Sequence, residues 1–212
     1  MNIHQITFSP TGGTRRVSEI LCQGMSRESV VTDLCVKAAD LRLPDIREND
    51  LVVIAMPVFA GRVPALAVER LRMVSPHGAK CVVVAVFGNR AYDDALLEIR
   101  DVASAMGFRV IAAVAAVAEH SIIRKYGKGR PDADDEQILR QFGAEILRKT
   151  SGNDDSMPKF LENILTSKVE KCLTRKEDED AIVAVFAQIS VLQMPFHFPT
   201  LKELTPRSAF LV

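Results

Sequence analysis

The sequence predicts an α/β protein: a doubly wound parallel sheet covered by helices on both faces. Leu51–Met56 and Lys80–Phe87 are almost continuously apolar, as expected for parallel strands that are buried on both sides. Strand-like segments alternate with helix-like segments along the first 149 residues, which is typical of βαβ units. Right-handed crossovers then leave few possible strand orders.

The first part of this domain begins with a short strand, Ile3–Phe8. In Thr14–Met25, apolar residues recur at helical spacing and predict a helix. Val30–Val36 alternates loosely between apolar and polar residues and fits a second strand. Leu51–Met56 is the third strand. Pro64–Met73 is predicted as a helix entered at a proline, a residue common in first helical turns.

The second part continues the alternation to the end of the domain. Lys80–Phe87 is the fourth strand, and Tyr92–Met106 is a helix that ends before a glycine suited to cap it. Arg109–Ala118 is the fifth strand. Asp134–Lys149 carries its apolar residues on one side and predicts a closing helix.

The chain divides into a domain over residues 1–149 and an extension over residues 150–212. A polar linker opens the extension, and Pro158–Leu173 and Lys176–Gln193 then predict two helices by their apolar spacing. Met194–Val212 holds three prolines and predicts irregular structure. The apolar helix faces need a partner, either the helices of the sheet or a second subunit, so a homodimer through the extension is one expectation.

Composition excludes several classes of protein. The 212-residue chain has a formal net charge of zero, without the basic excess typical of a nucleic-acid binder. Its four cysteines form no C-x-x-C pair, and no histidine has a second ligand at metal spacing, so we predict neither a disulfide framework nor a metal site. No apolar run reaches the roughly 20 residues of a membrane span, and no signal peptide is present, so we expect a cytoplasmic protein.

Three loops between a predicted strand and a helix carry the candidate site. The first combines hydroxyl groups with glycines that let backbone N–H groups approach a phosphate, and a helix N-terminus follows it. It has neither the lysine of a P-loop nor the G-x-G-x-x-G spacing, which favours a single phosphate held by dipoles. The alternative is a polar turn with an ordinary helix cap. Its residues are Ser9, Pro10, Thr11, Gly12, Gly13 and Thr14.

The second loop places an aromatic side chain at the end of the third strand. Phe59 could cover one face of a flat ring, and Gly61 leaves room for close backbone approach. Alternatively, Phe59 is a residue at the edge of the core. The candidate residues are Pro57, Val58, Phe59, Ala60 and Gly61.

The third loop follows the fourth strand. Tyr92 can stack through its ring, and Asn89 can both donate to and accept from the edge of a heterocycle. Alternatively, Tyr92 is only the first residue of a helix. The candidate residues are Phe87, Gly88, Asn89, Arg90 and Tyr92.

These motifs resemble the flavodoxin family. Ser9-x-Thr11-Gly12-x-Thr14 is similar to the loop that binds the phosphate of FMN, and Gly88-Asn89-x-x-Tyr92 is similar to the second flavin loop. The stretch from Met56 to Pro64 resembles flavodoxin-like domains fused to iron–sulfur ferredoxin modules, in which tyrosine replaces Phe59. The resemblance implies strand order 2-1-3-4-5 and noncovalent FMN, with its ring between Phe59 and Tyr92.

Two features depart from that family. Flavodoxins are usually acidic, whereas this chain is neutral. Residues 150–212 contain only Cys172, so they cannot supply the cysteines of an iron–sulfur cluster.

The resemblance implies a one- or two-electron carrier that exchanges electrons with a redox partner protein or a small-molecule acceptor. The alternative is an FMN-dependent NAD(P)H reductase acting on a quinone or similar acceptor, so whether the chain is an enzyme stays open. A third reading is a binding module whose flavin site is empty.

The segment after the fifth strand adds a second group of candidates. Arg124, Lys125, Lys128 and Arg130 either attract an anionic substrate or partner, or form a solvated basic loop. His120 either donates a proton or hydrogen bond near the flavin, or only ends the strand.

Overall fold

Five parallel strands form the centre of the protein. The computed structural model describes residues 1–151 and 184–186. Strands β1 to β5 lie in the order β2-β1-β3-β4-β5, which confirms the predicted doubly wound topology. Their bounds are Ile3–Thr7, Ser29–Asp33, Leu51–Pro57, Lys80–Phe87 and Arg109–Val117.

Four helices cover the two faces of this sheet. Helices α2 and α3 pack with one set of strand side chains, including Val52 and Ile54, whereas α1 and α4 pack with the alternate set, including Leu51 and Val53. This alternation follows from the two-residue period of a strand. A single 3-10 turn, Ala38–Asp40, follows β2. The helices α1 to α4 span Gly13–Gln23, Ala65–Leu71, Ala95–Met106 and Ala133–Ser151.

A sixth strand corrects one prediction in the extension. We expected Lys176–Gln193 to be helical, but Ala184–Phe186 forms a short strand, β6, antiparallel to β5. The outer edge of β5 presents unpaired backbone groups, and a strand that pairs there satisfies them. The predicted linker beyond residue 151, the helix over 158–173 and the irregular tail lie outside the described residues.

Helices α1 and α4 cross at two glycines. A Cβ atom built on Gly143 would lie 2.1 Å from the carbonyl oxygen of Leu21, and one built on Gly24 would lie 2.1 Å from the carbonyl oxygen of Arg140. Neither helix can accept a side chain at this point without moving its backbone. The two glycines therefore set how closely α4 approaches α1.

Asp50 organises the opposite end of the sheet, before β3. Its carboxylate accepts hydrogen bonds from the backbone N–H groups of Asn2, at 2.7 Å, and Arg47, at 3.0 Å. The ring Nε2 of His4 lies 3.4 Å from the same carboxylate. Burial alone would raise the pKa of Asp50, but these donors bring the pKa below its usual value of 3.8.

We expect Asp50→Asn to lower the free energy of unfolding at pH 7 by about 2 kcal/mol, because the amide nitrogen would replace one acceptor oxygen and leave a backbone N–H donor facing another donor. The lowered pKa stabilises the fold above the unfolded value and loses this effect as pH falls through the folded value. The difference between the two proteins should therefore shrink below pH 3.8. Urea unfolding at several pH values measures this difference. Asp45→Asn, a change at an exposed aspartate, is the control.

None of the helices within residues 1–151 is long and apolar enough to cross a membrane.

Candidate functional site

A cleft of about 390 Å³ opens where β1, β3, β4 and β5 end. Ligands of doubly wound sheets bind at these carboxyl ends, near the change in strand order. The cleft has a largely apolar wall made by all three predicted loops and by the segment after β5. The predicted residues that line it are Pro10, Thr11, Gly13, Thr14, Pro57, Val58, Phe59, Ala60, Phe87 and Gly88.

A polar pocket of about 250 Å³ adjoins the cleft. Its walls share Thr11, Gly13, Glu119, His120 and Ser121 with the cleft. The pocket is lined by three guanidinium groups and one carboxylate, so its local charge is positive. Those charged residues are Arg16, Arg124, Arg130 and Glu119.

The first loop presents backbone donors to both cavities. Among the described residues, no acceptor contacts the N–H groups of Thr11, Gly13 and Thr14, whereas Gly12 donates to the carbonyl of Ser9 at 3.3 Å. The Ser9 hydroxyl accepts the N–H of Arg15 at 3.0 Å, so part of its role is to cap α1. The remaining donors point to an anion site at this loop.

The second loop is a tight turn held by α3. Phe59 and Arg62 exchange backbone hydrogen bonds of 2.9 and 3.1 Å, and Ala60 and Gly61 both have positive φ. Gly61 is buried, and a Cβ there would lie 2.4 Å from a carboxylate oxygen of Asp93. Gly61 therefore packs against the third loop and does not line the cleft.

The turn is fixed from outside by one carboxylate. Glu98 of α3 accepts hydrogen bonds from the side-chain Nε of Arg62, at 3.0 Å, and from the N–H of Val63, at 3.1 Å. The Phe59 side chain stays 43% exposed at the mouth of the cleft. An exposed aromatic ring beside an apolar cleft is available to a ligand.

Tyr92 does not lie where the sequence predicts it. We expected a ring between Phe59 and Tyr92, but Tyr92 does not line the cleft. Its ring packs on Phe87, with centroids 5.4 Å apart, and against the core beneath α3. Burial raises the pKa of Tyr92 accordingly. Helix α3 begins only at Ala95, so Tyr92 lies in the preceding turn.

Asn89 and Arg90 also lie outside the cleft. Asn89 has a φ of 64° and faces a third cavity of about 290 Å³, whose walls include Lys125, Tyr126 and Lys128. Arg90 is exposed. The third loop therefore contributes Phe87 and Gly88 to the cleft and turns its polar side chains elsewhere.

Sequence reasoning missed four residues of the β5–α4 segment that line the cleft. They follow the last parallel strand, and the rule that ligands meet strand carboxyl ends could have found them. His120, already a candidate, lines both the cleft and the polar pocket. The missed residues are Ala118, Glu119, Ser121 and Ile122.

The basic residues of this segment have separate contacts. Arg130 forms a bidentate ion pair with the buried Asp135 and thereby anchors the start of α4. Arg124 lies 3.9 Å from Glu119, and Lys125 lies 5.0 Å from the centre of the Tyr126 ring. Arg130 thus has a structural role, and the side chains of Arg124 and Lys125 stay exposed. Within the described part of the chain, no cluster of three or more His, Cys, Asp or Glu residues could hold a metal.

Comparison with solved structures agrees with this architecture. A flavodoxin from the domain Archaea superposes with a TM-score of 0.53 over 72% of this chain and 100% of its own, at 17% identity. The fold is flavodoxin-like. Oxidised flavodoxin 1 from Bacillus cereus superposes with a TM-score of 0.52 over 70% of this chain and 98% of its own, also at 17% identity.

Sequence comparison adds little to the flavodoxin-like fold. No protein-family model matches the chain. A homoserine O-succinyltransferase from Nitrosococcus oceani is 31% identical over 102 residues, which cover 45% of this chain. The chain spans 28% of that protein's length.

Proposed function

We propose that the chain binds FMN noncovalently and transfers one or two electrons between a redox partner protein and an acceptor. The observation that carries the proposal is the pairing of two cavities at one loop. An apolar cleft suits a flat heterocycle, and the polar pocket beside it suits a phosphate. The flavodoxin-like fold and the phosphate-loop motif point to the same ligand.

The first loop fits the phosphate end of FMN. The N–H groups of Thr11, Gly13 and Thr14 are available, and the N-terminus of α1 adds its dipole. Arg16 lines the pocket, and its guanidinium lies 3.1 Å from Glu136, which holds it beside the loop. Charge-assisted hydrogen bonds are about twice as strong as neutral ones, so this end should dominate affinity.

The cleft fits the ring end of FMN. Pro57, Val58 and Phe59 supply apolar contacts from one loop, and Gly88 supplies a bare backbone from the next. These residues would orient the ring and exclude water from it. Bound FMN would supply the electron-transfer chemistry itself.

Two further points of the proposal concern the relatives of this chain and its electron partner. We propose that the chain is a relative of the flavodoxin-like domains that are fused to ferredoxin modules. We propose a redox partner protein or a small-molecule acceptor as its electron partner.

Adding FMN to the purified full-length chain tests the proposal. We expect a visible absorbance spectrum that survives desalting, quenched flavin fluorescence, and a weaker complex for Phe59→Ala than for Phe59→Tyr, which keeps the ring. Protein that remains colourless after incubation with FMN would instead support a binding module with an empty flavin site.

An NAD(P)H-dependent reductase is the second candidate. The third cavity, whose walls include Lys125 and Lys128, shares Arg130 with the polar pocket and could attract the phosphates of a nicotinamide cofactor. Rapid quinone reduction by NADPH without a partner protein would favour this reductase over the carrier. Slow turnover under the same conditions would favour the carrier.

A further inference from the structure

We propose that His120 binds the ligand directly, through a hydrogen bond donated by ring Nε2–H to the edge of its heterocycle. The identity of the ligand rests on the proposed function. The tautomer of the imidazole rests on the geometry of the chain alone. His120 was one of several candidates from the sequence, and the structure gives it a defined position and a defined proton.

Two backbone groups fix that proton. The N–H groups of Ile122 and Ile123 both lie 3.1 Å from Nδ1 of His120. A backbone N–H can only donate, so Nδ1 must present its lone pair and the neutral ring must carry its hydrogen on Nε2. Among residues 1–151, these two groups are the hydrogen-bond partners of the ring. Nε2 is therefore the nitrogen left for a ligand.

The main chain holds His120 in place as well. Its own N–H donates to the carbonyl of Tyr126 at 3.0 Å, and the N–H of Tyr126 donates to the carbonyl of Ile123 at 3.0 Å. The segment from His120 to Tyr126 thus closes on itself. A donor held by its own loop loses little freedom when a ligand binds.

The ring packs directly on Gly88. A Cβ atom built at position 88 would lie 2.6 Å from Cδ2 of His120 and 2.9 Å from Cγ. The backbone of Gly88 is not in the left-handed region, so its glycine is required by this contact and not by its φ angle. Gly88, the third-loop glycine of the flavin motif, here makes room for an imidazole.

This contact also decides which part of the ligand His120 would meet. His120 borders both cavities, but Gly88 lines only the apolar cleft. We therefore assign the Nε2–H donor to an acceptor on the heterocycle and not to the phosphate. The donor would select rings that present a nitrogen or oxygen acceptor at that edge.

His120→Asn separates the two roles of the ring. The Asn side-chain oxygen can accept the same two N–H groups in an Asx-type turn, whereas nothing replaces Nε2–H. We expect near-normal stability and about tenfold weaker binding of both FMN and riboflavin. His120→Gln, whose amide nitrogen can reach toward the position of Nε2, should recover part of this loss. The exposed His77→Asn is the matched control.

Nitrogen-15 NMR of the unliganded protein gives a readout that needs no flavin. We expect His120 as the Nε2–H tautomer, and a proton on Nδ1 would overturn the proposal. So would unchanged affinities in His120→Asn, or a loss confined to FMN, which would move the contact to the phosphate. If the wild type binds neither flavin, the proposed function fails and the ligand role of His120 fails with it. The tautomer would still be measured.

Discussion

Gly13→Asp is expected to weaken FMN binding by roughly a hundredfold while changing riboflavin binding less than threefold. A hundredfold corresponds to about 2.8 kcal/mol. The new carboxylate would stand where the N-terminus of α1 and three N–H groups, which have no acceptor within residues 1–151, favour an anion, and it would repel the phosphate. Flavin fluorescence titration at low and high salt measures both affinities.

Gly13→Ala is the matched control for this variant. A Cβ at position 13 lies 3.2 Å from Cβ of Ala118, so a small steric effect is expected from the alanine alone. Aspartate in the first turn of a helix is favourable for the helix dipole, so the variant should fold. Equal losses for FMN and riboflavin would show that the first loop does not bind the phosphate.

Gly143→Ala is expected to lower the free energy of unfolding by about 2–3 kcal/mol. In an ordinary helix the same change would stabilise the protein by about 1 kcal/mol, so the expected sign is reversed. The reason is that the added Cβ would lie 2.1 Å from a carbonyl oxygen of α1, which only a shift of the whole helix can relieve. Chemical denaturation measures the difference.

Gln141→Ala supplies the comparison on the same helix. Gln141 is exposed in α4, and a surface change to a good helix former should alter stability by less than about 0.5 kcal/mol. A Gly143→Ala protein as stable as the wild type would mean that α1 and α4 do not approach as closely as described.

Local pattern predicted much of the site. The apolar runs of β3 and β4 identify buried strands by themselves, and the segment after each is then expected at the binding edge. Ten of the predicted residues do line the cleft. In the second and third loops they are the residues closest in sequence to the strand ends, where the strand fixes the direction of the chain.

The prediction that Asn89 and Tyr92, a few residues beyond the end of β4, line the cleft was wrong. Asn89 and Asp93 both have positive φ, and between these bends Tyr92 turns toward Phe87 and the core. The Tyr92 ring can be buried by stacking on a ligand or by packing on a neighbouring side chain, and the sequence does not distinguish these two environments. The sequence did not predict strand β6 for a related reason: its pairing with β5 joins segments that are distant in sequence.

By itself, the sequence determined the order of strands and helices over residues 1–149, the resemblance of the first loop to a phosphate-binding loop, and the aromatic residue of the second loop. These features depend on short-range periodicity and on backbone chemistry at strand ends. Tertiary structure alone decided that Tyr92 leaves the cleft, that Gly24 meets Gly143, and that His120 packs on Gly88. Each of these depends on atoms that folding brings together from separate turns or elements, and no local pattern encodes such a distance.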